Sequence, residues 1–437
     1  MPGIGIGIGI GFGRSSDDYF ARQWYGVEID EANTSPDLTR IASDMRCHAE
    51  LPVHKLIRGC LLRDNGTVNY YLNSQDWTKK YWGGSSNLDG TDGMVVGHYP
   101  RFYYRYENPS SGKHRLKISL SPLSGFVLID EYFPAAYKAS LDRILLKLAS
   151  VVNMSTTYRG GNNNAAWDAA NNTLLGKPAT LISLINFRTY ARKRGSINWN
   201  VEPLKQHMIR YLLFIIEYAT LHSQKAVNLN LTSEGYKQGG LGNGVTTVTL
   251  AIWDTFNAYY PLIPCGITNS LANGSGEVSY TIPGFGDASG AVKVPRYWGI
   301  ENPFGDIWEW NEGASVLHGA AGGVSKLYVC NDPANFADGT ATNYTYVGDL
   351  PTSVGYIKTM MFDYACLFAP KTIGGSDNTY WCDYYSTPGL VNAWRALRCG
   401  GYAGAGAYAG FGCLYSDAAA SGGYEGANLG ARLCFLP

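Results

Sequence analysis

The stretch NPFGDIWEWNEG, residues 302–313, sets two tryptophans either side of one glutamate. Along an extended chain successive side chains point to opposite faces, so Trp308 and Trp310 share one side and Glu309 takes the other. Two neighbouring indoles are a large apolar surface that has to be covered. The segment therefore reads as a core strand, with Glu309 as a structural hydrogen-bonding residue on its far face.

The end of the chain poses the complementary problem. GGYAGAGAYAGFGCLYSDAAASGGYEGANLGARLCFLP, residues 400–437, is a lattice of Gly and Ala studded with isolated tyrosines. Gly weakens helix and strand alike, and Ala buries little. Yet Leu429, Leu433, Cys434 and Phe435 close the segment with enough apolar mass to enter a core. Something ordered must hold the small residues between.

Upstream, the pattern divides into units. The first 18 residues form a Gly/Ile arm in which Ile4, Ile6, Ile8 and Ile10 share one face of an extended ribbon. Such an edge is expected to dock on a neighbouring subunit, the alternative being a flexible tail. No basic residue precedes its apolar run, so it is not read as an export signal. Residues 19–122 read as an all-β attachment domain. Its hairpin signals are Asp64-Asn65-Gly66 and the tip from Pro109 to Gly112. His48, His54, His98 and His114 are scattered there without a catalytic constellation.

A second unit runs over 123–437. FVLIDEYFPAAYKASLDRILLKLASVV predicts a short strand leading into a helix from about Pro134. LISLINFRTYARKRG predicts another. EPLKQHMIRYLLFIIEYATLHSQ carries Leu204, Met208, Tyr211, Leu212, Ile215 and Ala219 at helical spacing behind Pro203. His207 and His222 on it read as solvent-facing or as satisfied core residues. Beyond QGGLGNGVTT only short strands and turns are expected. Helices followed by a long β region indicate an α+β fold. GGLGNG at 239–244 lacks the Lys-Ser/Thr of a phosphate loop.

Composition narrows the function classes. The 437 residues carry 35 basic and 35 acidic side chains, which leaves no global footprint for nucleic acid or an anionic membrane. No segment reaches the roughly 18 apolar residues of a membrane span, so no membrane insertion is expected. Nine cysteines, an odd number without a CxxC pair, read as buried thiols made in a reducing cytosol.

Two motifs resemble a known family. NPFGDIWEWNEG resembles the Gly-Asn-Val-Trp-Glu-Trp signature of the formylglycine-generating-enzyme branch of the C-type lectin fold. WRALRCGGY followed by NLGARLCF is similar to that family's closing Leu-Arg-Gly-Gly and Asn-Leu-Gly-Phe-Arg pattern, with Cys399 inserted and Ala431 in place of Phe. The likeness covers about residues 125–437 and implies a lectin-fold domain scaffolded by Trp308, Trp310, Trp394, Arg398 and Arg432. The catalytic members have two redox cysteines after the Gly-Gly pair. Here those places fall at Ala405 and near Tyr408 and Ala409, which leaves the thiol chemistry without a nucleophile. Cys413 stands alone and reads as a buried small hydrophobe. Calcium is considered on Glu309, Glu312 and Asp332, and an oxidase of that family would depend on copper or calcium; the reading itself assigns no metal site and no cofactor.

Within the lectin fold, the closing frame resembles that of proteins diversified by retroelements, and the chain looks like phage or prophage tail-fibre proteins of Bacteroides-like hosts. In that family, asparagine codons in the C-terminal variable region mutate while the frame stays fixed. The resemblance thus implies a receptor-binding region, 394–437, using Tyr402, Gly404, Ala405, Tyr408, Tyr415, Asp417, Ala418, Gly422, Tyr424 and Gly426. It further implies a homotrimer on a virion, built in the bacterial cytoplasm, that binds a bacterial surface protein or glycan and other tail proteins, but no nucleic acid. Tyrosine offers wide amphipathic contact with few rotors, and small neighbours leave room for a partner. The alternatives are a formylglycine-generating oxidase, an inert structural virion protein, and a set of tyrosines that merely fills a core.

Overall fold

The computed structural model describes residues 16–168, 172–285, 290–419 and 423–437. All but the last three residues of the expected 1–18 arm lie outside that range. Strand accounts for 37% of the chain and helix for 14%, so the mixed fold is mostly β.

The Trp-Glu-Trp motif opens a long strand, Trp308–Ala320. It pairs antiparallel with Val324–Val329 on one side and Ala393–Cys399 on the other, and its first two residues pair in parallel with Leu429–Gly430. The sheet continues through Thr345–Leu350 at one edge. On the other side it runs through Leu414–Ala419, Tyr384–Ser386, Gly355–Asp363 and Leu367–Ile373. Its two outer strands touch, so the sheet nearly closes on itself.

The chain end is tied in as the apolar tail demanded. Leu433–Phe435 lies between Trp199–Val201 and Phe133–Pro134, antiparallel to both. This pairing overturns the helix expected from Pro134. The segment forms the short strands Phe133–Pro134, Ser140–Asp142 and Lys147–Ala149 instead. Residues 134–141 are buried on every side, and Ala135 and Ala139 donate backbone bonds to the carbonyls of Leu433 and Ala431 at 2.7 and 2.8 Å. Tertiary pairing has overridden a helical pattern.

The other two expected helices form, as Leu184–Arg192 and Leu204–Tyr218. In the second, only Lys205 and Gln206 escape full burial, which makes it a core helix. Its buried charged residues are each engaged at one or more atoms: Arg210 Nε with Glu202 Oε1 at 2.9 Å, and Glu217 Oε2 accepting from Trp298 Nε1 at 2.7 Å. His207 is a satisfied core residue. Its Nε2 donates to the Phe411 carbonyl at 2.7 Å, and burial lowers its pKa to about 3. A helix not expected from the sequence, Leu250–Asn257, buries only Trp253 and Asn257.

Both N-terminal hairpins form, with Arg58–Leu62 against Val68–Tyr71 and Phe102–Ser110 against Lys113–Ser119. The second belongs to an antiparallel five-stranded sheet that also holds Thr39–Ala42, Trp24–Asp30 and Val127–Ile129. The expected boundary at 122/123 falls inside this sheet. One apolar cluster joins Tyr25, Val27, Tyr104 and Leu116 of that sheet to Met208, Leu212 and Ile215 of the core helix and to Phe368 and Phe411 beyond it.

Candidate binding surface

The first residues of strand Trp308–Ala320 separate two environments. On one side Glu309 is clamped. Its Oε2 accepts from Arg432 Nε at 2.9 Å, and its Oε1 accepts from Arg432 Nη2 at 2.9 Å and Lys138 Nζ at 2.7 Å. The remaining guanidinium N–H groups reach the carbonyls of Ala135 at 3.1 Å and of Glu301 and Asn302 at 3.0 Å. Burial pushes the Glu309 carboxyl up, but the two cations outweigh it and hold it well below the usual carboxylate range. This triad ties the C-terminal strand to the Trp-Glu-Trp strand and to the 135–138 segment.

The other carboxylates considered for calcium are committed as well. Glu312 accepts from Arg188 Nε at 2.9 Å, and Asp332 accepts from the Ala334 backbone at 2.9 Å and from Asn335 Nδ2 at 2.7 Å. No group of three or more His, Cys, Asp or Glu side chains suited to a metal occurs among the described residues. The three carboxylates do not fit a calcium site.

On the opposite side Trp308 and Trp310 are each 1% exposed, and side chains of the 394–437 segment lie against them. Register sets Trp310 beside Arg398 and Arg398 beside Tyr415, a row across three strands. The Tyr415 ring lies 4.2 Å from Trp308 centroid to centroid, and Tyr402 lies 5.8 Å from the same indole. Tyr402 also stacks on Trp253 at 5.3 Å, while Tyr424 meets Trp310 edge-on at 6.0 Å. From Tyr415 the series continues to Tyr384 at 6.1 Å, to Tyr408 at 4.5 Å and to Tyr356 at 5.8 Å. These contacts make one aromatic ribbon from Trp253 to Tyr356.

Arg398 sits at the ribbon's centre. Its guanidinium carbon lies 4.8, 5.4 and 6.0 Å from the ring centroids of Trp308, Tyr415 and Tyr424. Nε and Nη2 donate to the two Asp417 oxygens at 3.1 and 3.0 Å. Arg398 itself is buried, and its contacts hold in place Tyr415, Tyr424 and Asp417, which stay partly open. Burial raises the pKa of the Tyr402 and Tyr415 phenols and pushes Tyr356 up to about 12, so these hydroxyls stay neutral hydrogen-bonding groups at ordinary pH.

The expected contact residues divide by burial. Tyr408 and Tyr424 are 49% and 38% exposed, and Tyr402, Gly404, Tyr415, Asp417 and Gly426 are half-buried. Ala405 and Ala418 are buried and are corrected to packing residues. Strand Leu414–Ala419 alternates inside and outside, and Ala418 falls in the inward phase. Gly422 lies outside the described residues. Trp394 is half-buried against Tyr328, with ring centroids 5.6 Å apart. The sequence reading missed Trp253, Tyr356 and Tyr384, which join the ribbon from distant segments and carry no local signal.

Tight packing explains much of the Gly/Ala lattice. Gly401 has φ +85°, and a Cβ there would come within 2.5 Å of the Ala409 Cβ. A Cβ on Gly412 would meet the Tyr211 ring at 2.3 Å. The cysteines of this region point inward. Cys399 Sγ is 3.5 Å from His207 Nδ1, Cys413 Sγ donates to the Tyr408 carbonyl at 3.0 Å, and burial raises both thiols. No family model matches this chain, and no curated protein matches it in sequence.

Proposed function

We propose that this chain is a non-enzymatic adhesin: a phage tail-fibre receptor-binding protein with a C-type lectin fold of the formylglycine-generating-enzyme branch. The observation that carries this reading is the half-open aromatic ribbon, laid over Trp308 and Trp310 and backed by the buried Glu309–Arg432–Lys138 triad. A rigid support lets single surface residues change without loss of the frame. Seven of the ten expected contact positions lie at least partly open on or beside that ribbon. The pairing of Phe133–Pro134 with Leu433–Phe435, which brings the two ends of the larger unit together, supports the lectin-fold assignment. The buried, raised thiols of Cys399 and Cys413 favour the adhesin over a thiol-dependent oxidase.

The partner is a bacterial surface protein or glycan, and the assembly is a homotrimer on a virion. Replacing Tyr408 and Tyr424 together by Ala is expected to abolish adsorption to host cells with the melting temperature nearly unchanged, since exposed substitutions seldom cost more than about 0.5 kcal/mol. Sequencing the locus in sister isolates, with the neighbouring DNA, gives the second test. Changes concentrated at the open positions, beside a near-copy template and a reverse transcriptase gene, are expected. Changes scattered evenly over the frame overturn the diversification reading.

A further inference from the structure

The five-stranded sheet has two edges, Thr39–Ala42 and Val127–Ile129. Val127–Ile129 pairs with residues 102–104 on one side, and among the described residues no backbone hydrogen bond from another segment reaches its other side. A row of unpaired N–H and C=O groups is a template for one more strand. Natural edges are commonly blunted by Lys, Pro or a bulge. This one is three aliphatic residues in unbroken register, with Val127 and Leu128 38% and 41% exposed.

A cavity of about 370 Å³ opens beside that edge, lined by the buried Ile129 and Ile209 and by Leu128, Ile197 and Leu436. An apolar cavity of about 150 Å³ holds a benzene, so this one admits more than one aliphatic side chain. Its charged lining is Asp130, Glu131 and Asp332 against the single cation Lys205, a surplus of carboxylates. Glu131 is taken up by His98 at 2.9 Å, but Asp130 reaches Arg101 only at 4.0 Å.

One segment of the chain has the complementary pattern. Residues 4–10 alternate strictly, with Ile4, Ile6, Ile8 and Ile10 on one face of an extended ribbon and glycine on the other. The one charged side chain in the first 16 residues is Arg14. Reach decides which copy supplies the segment. Tyr19 Oη donates to Asp44 Oδ2 at 2.8 Å, which puts the departure of the arm at the Thr39–Ala42 edge. From there to a strand added beyond Val127–Ile129 is five strand spacings, about 24 Å. The chain from Ile10 to Ser16 spans at most about 21 Å, so the arm of the same chain falls short.

We propose that Val127–Ile129 accepts residues 4–10 of a second copy of this chain as an added strand. The isoleucines continue the face of Ile129 over Ile209 and Leu436, main-chain bonds pair the open edge, and Arg14 answers the surplus of carboxylates. Each copy then gives an arm and receives one. Such a contact is heterologous and closes into a ring, in keeping with the proposed homotrimer. It rests on the open edge and the arm, not on what the aromatic ribbon binds.

The test is photo-cross-linking of the full chain with a benzophenone amino acid in place of Leu128, read by denaturing mass and tryptic mapping. The expected product is a covalent multimer in which Leu128 of one copy is joined to the tryptic peptide of another that ends at Arg14. Ile6→Asp with Ile8→Asp should cut the yield roughly tenfold or more, as the loss of two buried aliphatic side chains requires. Ile6→Val with Ile8→Val should keep it, and so should Tyr408→Ala with Tyr424→Ala, which alters only the ribbon. The proposal is overturned if the arm peptide joins Leu128 of its own chain, if no cross-link to the arm forms, or if the Asp pair cross-links as the parent does.

Discussion

Arg432 and Arg398 both make two-point pairs with a carboxylate, yet they stand in opposite situations. Arg432 is fully buried and also serves three backbone carbonyls, whereas Arg398, at the centre of the aromatic ribbon, has Asp417 as its only ionic partner among the described residues. A buried ion pair adds little net stability over an apolar substitute, but removing one member leaves an uncompensated charge in the core. The inner pair is thus a fastening that tolerates no change. The outer pair orients groups that a partner can touch. The largest expected effect follows: Arg432→Ala should cost about 3–5 kcal/mol in urea unfolding. Arg432→Lys should recover little of it, because an ammonium cannot reproduce the fork that serves Glu309 and the carbonyls together. A loss below about 1 kcal/mol would put the two arginines in one class.

Part of this contrast is legible in the sequence. Strand alternation alone puts Glu309 opposite Trp308 and Trp310, and the apolar spacing behind Pro203 marks the core helix. The inward phase of Ala405 and Ala418 is not legible, because it depends on a register that the Gly/Ala pattern does not specify. The segment after Pro134 reads as a helix because its apolar residues also fit a helical period; its all-round burial arises from strands at the far end of the chain. Helix Leu250–Asn257 is hidden for another reason, since Leu250 and Ile252 stay exposed and blur its apolar face. Tyr356 and Tyr384 reach the ribbon only through sheet topology.

A third carboxylate sharpens the comparison. Asp383 is as buried as Glu309 but faces a phenol in place of two cations, accepting from Tyr211 Oη at 2.5 Å. Burial therefore wins, and its carboxyl is pushed up to about 8. An acid whose pKa is raised on folding contributes full stability below its unfolded value, near 3.9, and loses it as pH rises toward 8. Asp383→Asn, which cannot ionise, should gain in melting temperature over the parent as pH rises from 4 to 8 and hold that gain above it. A difference that does not vary with pH would show that Asp383 is ionised in the folded protein. Glu309 carries the opposite sign: its lowered pKa makes its contribution complete above the ordinary glutamate range and lost as pH falls.

The smallest expected effect on folding belongs to the outer pair. Asp417 is 28% exposed at its side chain and Arg398 11%, so solvent screens their attraction. A double-mutant cycle with Arg398→Ala and Asp417→Ala should return a coupling of about 1 kcal/mol or less. Arg398→Ala alone should cost somewhat more than Asp417→Ala, because it also uncovers the faces of Trp308 and Tyr415. On the proposed adhesin function, host-cell adsorption should order the variants differently. Asp417→Ala frees Arg398 to swing from the ribbon, so adsorption is expected to fall in both single variants despite their near-parental stability. If adsorption tracks stability alone, Arg398 and Asp417 hold the frame as Arg432 and Glu309 do, and the inner and outer pairs differ only in degree.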